Sequence, residues 1–453
     1  MTMTPSRLLQ ALHTCLAARP LAAYPRRFII AYSGGLDSHC LLHLLSACRR
    51  QLAVSIEAVH VHHGLLDDAD HWVEHCRQVC RQLDVPLTVL HVEARAAKGE
   101  SPEAAARKAR YAALQNIIVT EGDVLLTAQH RDDQAETLLL QLFRGSGSRG
   151  QAAMPRQRAF AAGEHWRPLL DVSRDELQEY AAQQQLNWVE DPSNQDSGFD
   201  RNYLRHEVMP VLQRRWPAIT ETLSRVASQQ AENEALLEAL AAQDMQGLLR
   251  TDHSLSLAGL GGLDAARQRN VLRLWLRGQG LTLPSRRKLL QVQADMLEAA
   301  QDRNPHLEWP GVELRRYRGR LYAMAPLQAV KADWCRDWGL RGQVDLPWSA
   351  QLLSRKTVGE GLRADLGETG QRIQLRLRHG GERCRPIGRG QHHSLKKLFQ
   401  EAGIPPWQRQ RMPLLFVGDE LAAVPGLCVC EPFAAPKGGA GLWIDWRASI
   451  TSH

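Results

Sequence analysis

The amino-acid sequence predicts an α/β protein whose first domain is a doubly wound parallel sheet of five strands. Short apolar runs, such as residues 28–32, alternate with stretches whose apolar residues recur at helical spacing. This alternation is typical of parallel sheets, which hold ligands at the carboxyl ends of their strands. The strand pattern fades after Trp216 and Pro217. Because 453 residues are too many for one ordinary domain, we expect further domains there.

The elements of the first domain can be placed from their patterns and their capping residues. Ser101 and Pro102 are typical of a helix start, and Ser173 with Glu176 fits a capping box. We predict strands at residues 28–32, 54–62, 87–92, 123–127 and 166–170, with helices between and after them.

The rest of the chain predicts a helical middle domain and a small mixed α/β C-terminal domain. Helices are predicted at residues 219–249, 264–278 and about 284–300, followed by a hairpin that turns at Arg318 and Gly319. In the last domain we predict strands at 373–377, 414–417 and 421–424 and a helix at 394–402. The predicted boundaries are 1–215 for the first domain, 216–327 for the middle domain, 328–357 for a linker and 358–453 for the last domain.

The composition excludes a membrane-spanning protein and favours the cytoplasm. No apolar run approaches the roughly 20 residues that cross a bilayer. The nine cysteines are odd in number and scattered, which argues for free thiols in a reducing compartment.

Positive charge is concentrated near the C-terminus. Between residues 372 and 411 ten basic residues stand against two acidic ones, Glu382 and Glu401. Such a segment suits a phosphate backbone, and a solvated basic face is the alternative. The ten are Arg372, Arg376, Arg378, Arg383, Arg385, Arg389, Lys396, Lys397, Arg409 and Arg411.

The glycine-rich turn after the first strand predicts an anion site. Glycines let the backbone approach a ligand closely, and a helix N-terminus offers unpaired N–H groups. The turn is neither the Walker pattern nor the dinucleotide fingerprint. It consists of Ser33, Gly34, Gly35, Leu36, Asp37 and Ser38.

A second polar motif follows the fourth predicted strand. His130, Asp133 and Glu136 are spaced by three residues, so they share one helical face. Two carboxylates and an imidazole could bind Mg²⁺, hold an ammonium group or take a proton from an amine. A helix start that simply favours acidic residues is the alternative. Further on, Asp191 and Pro192 open a turn, and residues 200–205 read as a basic helix after a loop.

Together these motifs resemble the tRNA(Ile)-lysidine synthases, which belong to the PP-loop ATP pyrophosphatases with an adenine nucleotide alpha hydrolase-like fold. The resemblance is specific over about residues 26–215 and looser beyond, where it rests on length, order and charge. One departure is His62–His63, where the family usually has Asn-His. The resemblance rests on SGGLDS at 33–38, HVHHGL at 60–65, Glu103, Arg107, Arg110, Tyr111, HRDDQAET at 130–137, RGSG at 144–147, and EDPSN with the later Arg201, Asn202 and Arg205.

The resemblance implies an ATP-dependent ligase that modifies a tRNA. The family adenylates C2 of the wobble cytidine in the minor isoleucine tRNA, whose anticodon is CAU, and releases pyrophosphate. The amine of free L-lysine then displaces AMP. ATP and Mg²⁺ are the implied cofactors, no membrane is implied, and a homodimer is one implied oligomeric state.

The resemblance also implies the roles of individual residues. The six residues of the glycine-rich turn would bind ATP, and Asp37 would help to place Mg²⁺. The implied catalytic residues are Asp37, Arg110, His130, Asp133 and Glu136. Arg144, Arg149, Arg156 and Arg158 are expected to contact tRNA from a flexible glycine-rich loop.

Two other functions remain open at this stage. Another PP-loop tRNA-modifying enzyme, such as a thiolase, would share the ATP site, although thiolating enzymes tend to need paired cysteines and no C-x-x-C occurs here. An RNA-binding protein with an inactive nucleotide domain is the non-enzymatic alternative.

Overall fold

The computed structural model describes residues 25–52, 54–62, 69–93, 102–297, 305–368 and 370–448, together with residue 10. The chain divides into two compact units, Met1–Leu236 and Leu237–His453. The four-part division predicted above is finer than this and stays a prediction.

The first unit contains a sheet with the strand order β3-β2-β1-β4-β6-β5. The first five strands in this spatial order, from β3 to β6, run parallel, as predicted. β5 pairs antiparallel with β6 at the edge of the sheet. The described part of the sheet thus has one strand more than the five we predicted. The strands are β1 (Arg27–Ala31), β2 (Ser55–His62), β3 (Leu87–His91), β4 (Asp123–Leu126), β5 (Gln157–Phe160) and β6 (Gly163–Trp166).

The last parallel strand lies earlier in the sequence than predicted. We expected a strand at residues 166–170, but β6 ends at Trp166. The apolar residues after it, Leu169 and Leu170, are buried in a turn instead of a strand. Burial alone therefore explains their apolar character.

Helices cover both faces of this sheet because its strands are apolar on both sides. Phe28 and Ile30 of β1 pack in one core with α1, α2 and α6, whereas Ile29 packs in a second core with Leu114 of α3. The helices of the first unit are α1 (Leu36–Leu52), α2 (Ala69–Gln82), α3 (Pro102–Gln115), α4 (Arg131–Phe143), α5 (Ser148–Gln151), α6 (Arg174–Gln183), α7 (Asp200–Tyr203), α8 (Met209–Arg215) and α9 (Ile219–Met245), which continues past residue 236.

The strand order puts two helix N-termini at one place. β1 pairs with β2 on one side and with β4 on the other, so the chain order reverses between β1 and β4. α1 begins after β1, and α4 begins after β4. Open α/β sheets bind ligands at such a switch point, beside the carboxyl ends of the strands.

The second unit begins with helices and a small sheet. The predicted hairpin is confirmed, since β9 and β10 pair antiparallel on either side of Arg318 and Gly319. Asp264 and Ser285 cap the two predicted helices by accepting hydrogen bonds from backbone N–H groups. These elements are α10 (Leu257–Gly261), α11 (Ala265–Gly278), α12 (Arg286–Val292), β7 (Leu255–Ser256), β8 (His306–Trp309), β9 (Val312–Tyr317) and β10 (Arg320–Met324).

The segment 328–357, which we expected to be a linker, contains strands. Its β13 pairs over nine residues with β21, which comes near the end of the chain. Five of its large apolar residues are part of a buried core, namely Trp338, Leu340, Leu346, Trp348 and Leu352. These strands are β11 (Cys335–Asp337), β12 (Gln343–Leu346) and β13 (Ala350–Val358).

The C-terminal elements that we predicted are present, within mainly antiparallel sheets. Ser394 caps α13 by accepting a hydrogen bond from the Lys397 N–H group. The remaining elements are β14 (Leu362–Arg363), β15 (Ile373–Arg376), β16 (Arg383–Cys384), β17 (His393–Ser394), α13 (Leu395–Glu401), α14 (Pro406–Arg409), β18 (Leu414–Val417), β19 (Glu420–Val424), β20 (Cys428–Val429) and β21 (Ala440–Ala448).

One expectation about the cysteines is wrong. The structure pairs Cys384 with Cys430 as a disulfide, with Cα atoms 5.7 Å apart, whereas the number and scatter of the cysteines argued against a disulfide framework. The two residues are 46 positions apart, and only the pairing of the strands brings them together. No helix in the described ranges is long and apolar enough to cross a membrane.

Candidate active site

The glycine-rich turn forms a compact loop between β1 and α1. The Ser38 hydroxyl donates to the Gly35 carbonyl at 3.0 Å and accepts from the Ser33 N–H group at 3.2 Å. The hydroxyl oxygens of Ser33 and Ser38 lie 3.0 Å apart. These bonds fix the loop at the start of a 17-residue helix, whose N-terminal N–H groups favour an anion.

Gly34 is required by this loop for two reasons. Its φ angle is +86°, which side chains rarely adopt, and a Cβ atom there would lie 2.9 Å from Val189 Cγ2 and 3.1 Å from Cys76 Sγ. A Cβ atom on Gly35 would meet nothing closer than Ser33 Oγ, at 3.5 Å. The backbone conformation and the close neighbours therefore explain why residue 34 is a glycine. They do not explain Gly35, for which close approach of a ligand is the remaining reason.

His130 lies at the N-terminus of α4 among three carboxylates. Its Nε2 atom is 3.6 Å from Asp37 Oδ2 and 3.5 Å from Asp133 Oδ2, and its Nδ1 atom is 3.5 Å from Asp132 Oδ2. Burial lowers the pKa of His130, but the carboxylates, with Asp133 foremost, outweigh it and raise the pKa to about 10. The neighbouring carboxylates therefore favour the protonated, cationic form of the ring at neutral pH.

Two arginines bind the carboxylates of α4. Asp133 Oδ1 accepts from Nη2 of Arg201 at 2.7 Å and from Nη2 of Arg205 at 3.1 Å. Glu136 accepts from Nε of Arg201 at Oε2 and from Nε of Arg205 at Oε1, both at 2.7 Å. Asp133 Oδ2 accepts from the backbone N–H group of His130 at 3.0 Å. All four carboxylate oxygens thus have partners.

The ion pairs favour the charged forms of Asp133 and Arg201. Burial alone raises the pKa of Asp133, but the charges of His130, Arg201 and Arg205 lower it overall. Burial likewise lowers the pKa of Arg201, and the carboxylates of Asp133 and Glu136 raise it overall. A buried network of this kind is stable only when all its members are present, because a single removed partner leaves a buried charge unpaired.

Asp37 has the oxygen that a hard cation needs. Its Oδ1 atom is buried and has no hydrogen-bond partner among the described residues, while Oδ2 faces His130. Carboxylate oxygen is the ligand that Mg²⁺ prefers. The residue therefore fits a magnesium site beside the glycine-rich loop.

The structure brings together four of the five predicted catalytic residues, namely Asp37, His130, Asp133 and Glu136. Arg110 lies on a different helix, α3. Burial lowers the pKa of His60 at β2, and the charge of Arg110 contributes to lowering it. Residues 63–65 of the second motif and the side chain of Glu103 lie outside the described residues.

Sequence reasoning missed the role of Arg201 and Arg205 in this site. We interpreted residues 200–205 only as a basic helix after a loop. The signal was present, because two arginines spaced by four share a helical face and match two carboxylates spaced by three. Nothing in the sequence alone says that the two helices meet.

The predicted tRNA-contacting loop is also more ordered than expected. Arg149 lies on α5, and Arg158 lies on the edge strand β5. Arg156, between them, forms an ion pair with Asp171. The glycines misled the prediction, because Gly145 and Gly147 lie between two helices instead of within a long loop.

Comparison with known proteins supports the family that the sequence motifs resemble. Three family models match the chain, described as PP-loop domain over residues 6–212, TilS substrate binding domain over 255–322 and TilS substrate C-terminal domain over 373–446. A tRNA(Ile)-lysidine synthase of Coxiella burnetii is 43% identical over 441 residues, which cover 97% of this chain and 96% of that protein. The chain belongs to the tRNA(Ile)-lysidine synthase family.

Other lysidine synthases match over similar lengths. The protein of Alkalilimnicola ehrlichii is 45% identical over 91% of this chain and 92% of its own length. That of Serratia proteamaculans is 43% identical over 95% and 97%. The lysidine synthase family inferred from the motifs is thereby confirmed, together with its ATP-using PP-loop fold.

Proposed function

We propose that this protein ligates free lysine to C2 of the wobble cytidine in the isoleucine tRNA with the anticodon CAU. The C2 oxygen of the cytidine attacks the α-phosphorus of ATP, and pyrophosphate leaves. The lysine amine then bonds to C2, AMP leaves with that oxygen, and the amine loses a proton. The observation that carries this proposal is the charged cluster of Asp37, His130, Asp133 and Glu136 beside an intact PP-loop in a chain of this family.

The glycine-rich loop would bind the phosphates of ATP. Its N–H groups and the dipole of α1 favour the negative charge, and the two serine hydroxyls are within reach of the same space. Asp37 would hold Mg²⁺, which offsets charge on the pyrophosphate as it leaves. His130, as a cation next to Asp37, would contribute further positive charge.

The carboxylates of α4 would bind the lysine ammonium. Asp133 and Glu136 carry two negative charges on one face, which suits a cation that must be oriented before attack. Arg201 and Arg205 occupy those carboxylates in this structure, so lysine would replace part of their contacts. A carboxylate beside the ammonium group would also accept the proton that the amine loses.

The basic C-terminal segment would bind tRNA, although ion pairs reduce its free charge. Five of its arginines pair with described acidic residues, and Lys397 approaches Glu401 at 4.0 Å. Arg383 and Lys396 are exposed and form no ion pair with a carboxylate of the described residues. The five pairs are Arg372–Asp337, Arg376–Asp419, Arg378–Glu382, Arg385–Glu431 and Arg389–Glu401.

We also propose that the protein acts in the cytoplasm. A homodimer is one oligomeric state that sedimentation can test.

The adenylation step can be tested without lysine. ATP labelled at its α-phosphate is mixed with the protein and the unmodified tRNA, and the RNA is recovered under mild conditions. The proposal predicts label on the RNA that lysine then removes as AMP. Label that never reaches the RNA, or that lysine does not release, would contradict it.

A further inference from the structure

A second cluster of cations surrounds Tyr111 on α3. The Cζ atom of Arg107 lies 5.1 Å from the centre of the Tyr111 ring, and that of Arg158 lies 5.7 Å from it. Arg158 is also 5.7 Å from the ring centre of Phe160. Both arginines are exposed, and the aromatic rings hold their guanidinium groups in place.

A buried arginine lies behind this surface. Arg167 is 2% exposed, and its Nη1 atom donates to the Pro155 carbonyl at 2.7 Å. Its Nη2 atom lies 3.2 Å from Nδ1 of His165, which also accepts from Arg158 Nε at 3.3 Å. The Nε atom of Arg167 is buried with no hydrogen-bond partner among the described residues.

His165 stays neutral in this position. Burial, and then the charges of Arg167 and Arg158, lower the pKa of His165 to about 2. Its Nδ1 atom therefore accepts from the arginines, and Nε2 carries the proton that it donates to Thr127 Oγ1 at 2.7 Å. The histidine thus adds no charge but orients two cations.

Three arginines give this cluster its positive charge. Arg107, Arg158 and Arg167 form no ion pair with any carboxylate in the part of the chain that the structure describes. Burial, and then the charges of Arg158 and Arg107, lower the pKa of Arg167 to about 10, against an opposing effect of Tyr111. An uncompensated buried cation is costly, so an external anion would relieve this cost. Arg201 differs from these arginines, because the carboxylates of Asp133 and Glu136 balance its charge.

A short chain of contacts joins this cluster to the reacting centre. Thr127, which accepts from His165, also hydrogen-bonds Gln129 through its hydroxyl. Gln129 immediately precedes His130 in the loop after β4. An anion bound at the arginines would therefore lie on the same edge of the sheet as the proposed site of adenylation.

We propose that Arg107 and Arg158, arranged around Tyr111 and backed by the buried charge of Arg167, form a binding site for a phosphodiester of the RNA substrate. Exposed guanidinium groups pair readily with phosphate oxygens, and aromatic faces beside arginines are typical of sites for single-stranded RNA. The phosphates of ATP have their own loop at residues 33–38, after β1, whereas these arginines belong to α3 and the β5–β6 hairpin. The identity of the RNA rests on the proposed function.

The test compares two variants of the full-length protein. Arg107→Gln with Arg158→Gln removes two exposed charges from the cluster. Arg50→Gln is the matched control, because Arg50 is also exposed but lies at the C-terminal end of α1, which runs away from the glycine-rich loop. The dissociation constant of the unmodified isoleucine tRNA is measured at several salt concentrations without ATP, and KM for ATP is measured by pyrophosphate release.

We expect the double variant to bind the tRNA about tenfold more weakly, with the slope of log K against log salt smaller by about one. Its melting temperature and its KM for ATP should match those of the control. Unchanged RNA affinity would overturn the proposal, and a raised KM for ATP with unchanged RNA affinity would assign the cluster to ATP instead. If the double variant loses RNA affinity but the wild-type protein never incorporates lysine, the RNA-binding site is supported and the proposed function is contradicted.

Discussion

Arg205 binds Glu136 in a bidentate manner along one edge of its guanidinium group, with Nε donating to Oε1 at 2.7 Å and Nη2 donating to Oε2 at 3.0 Å. The Glu136 side chain is 3% exposed, so water does not weaken the pair. A lysine ammonium that is to reach Glu136 must therefore compete with a bidentate arginine.

Replacing Arg205 should cost stability. Arg205→Gln leaves Glu136 with only Arg201, and breaking a buried pair on one side costs about 3–5 kcal/mol. We expect the free energy of unfolding in urea to fall by about 3 kcal/mol. Arg77→Gln, which breaks an exposed pair with Glu74, serves as control and should cost less than about 1 kcal/mol. Equal losses in the two variants would show that the network at Glu136 is not specially stabilised.

Asp133→Asn should abolish ligation while tRNA still binds. The substitution keeps the shape of the side chain but removes the charge that meets His130, Arg201 and Arg205. We expect lysine incorporation to fall by at least about a hundredfold, as for the loss of one preorganised charge in other active sites. Filter binding of the tRNA and a melting curve check that the variant is folded. Normal turnover would remove Asp133 from the site.

The charge of His130 predicts a pH dependence of stability. Its folded-state pKa of about 10 lies above the ordinary value of 6.5, so its contribution is complete below pH 6.5 and is lost as the pH rises through 10. We expect the difference in unfolding free energy between the wild type and His130→Gln to shrink from pH 7 to pH 10. Groups common to both proteins cancel in this difference. A difference that stays constant over this range would mean that His130 is neutral in the folded protein.

The two glycines of the loop should differ in their tolerance of alanine. Gly34→Ala forces a Cβ atom against Val189 at a φ of +86°, which we expect to cost about 2 kcal/mol of unfolding free energy. Gly35→Ala has room for the Cβ atom and should leave stability within about 0.5 kcal/mol of the wild type. Urea unfolding of both variants compares them directly, and an equally damaging Gly35→Ala would contradict the loop geometry.

Within the basic C-terminal segment, Arg383 should matter more for tRNA than Arg389. Among the described residues, the Arg383 Nη2 atom donates only to the His392 carbonyl at 3.3 Å, whereas Arg389 forms an ion pair with Glu401. A phosphate gains more from an arginine that carries no carboxylate partner. We expect Arg383→Gln to reduce the salt slope of tRNA binding by about one and Arg389→Gln to change it less. The reverse order would place the RNA elsewhere on this domain.

The parts of the fold that local patterns specify were predicted well. Asp264, Ser285 and Ser394 mark helix starts through their own side chains, and each caps a helix in the structure. The hairpin at Arg318 and Gly319 depends on neighbouring residues only. These signals are local, so the sequence suffices to find them.

The missed elements depend on partners far away in the chain. β13 is held by β21, some ninety positions later, and its polar residues give no clear alternation. The candidate site shows the same limit. His130, Asp133 and Glu136 were found from their spacing, whereas their arginine partners at 201 and 205 become visible only once α4 and the later helix meet.

Incorporation of labelled lysine into the unmodified isoleucine tRNA, in the presence of ATP, tests the central claim most directly. The account predicts one lysine per tRNA, released pyrophosphate in equal amount, and no incorporation when the wobble cytidine is replaced. Digestion and mass spectrometry would place the lysine on that nucleotide. Pyrophosphate released without lysine incorporation, or lysine found on a tRNA that lacks the wobble cytidine, would contradict it.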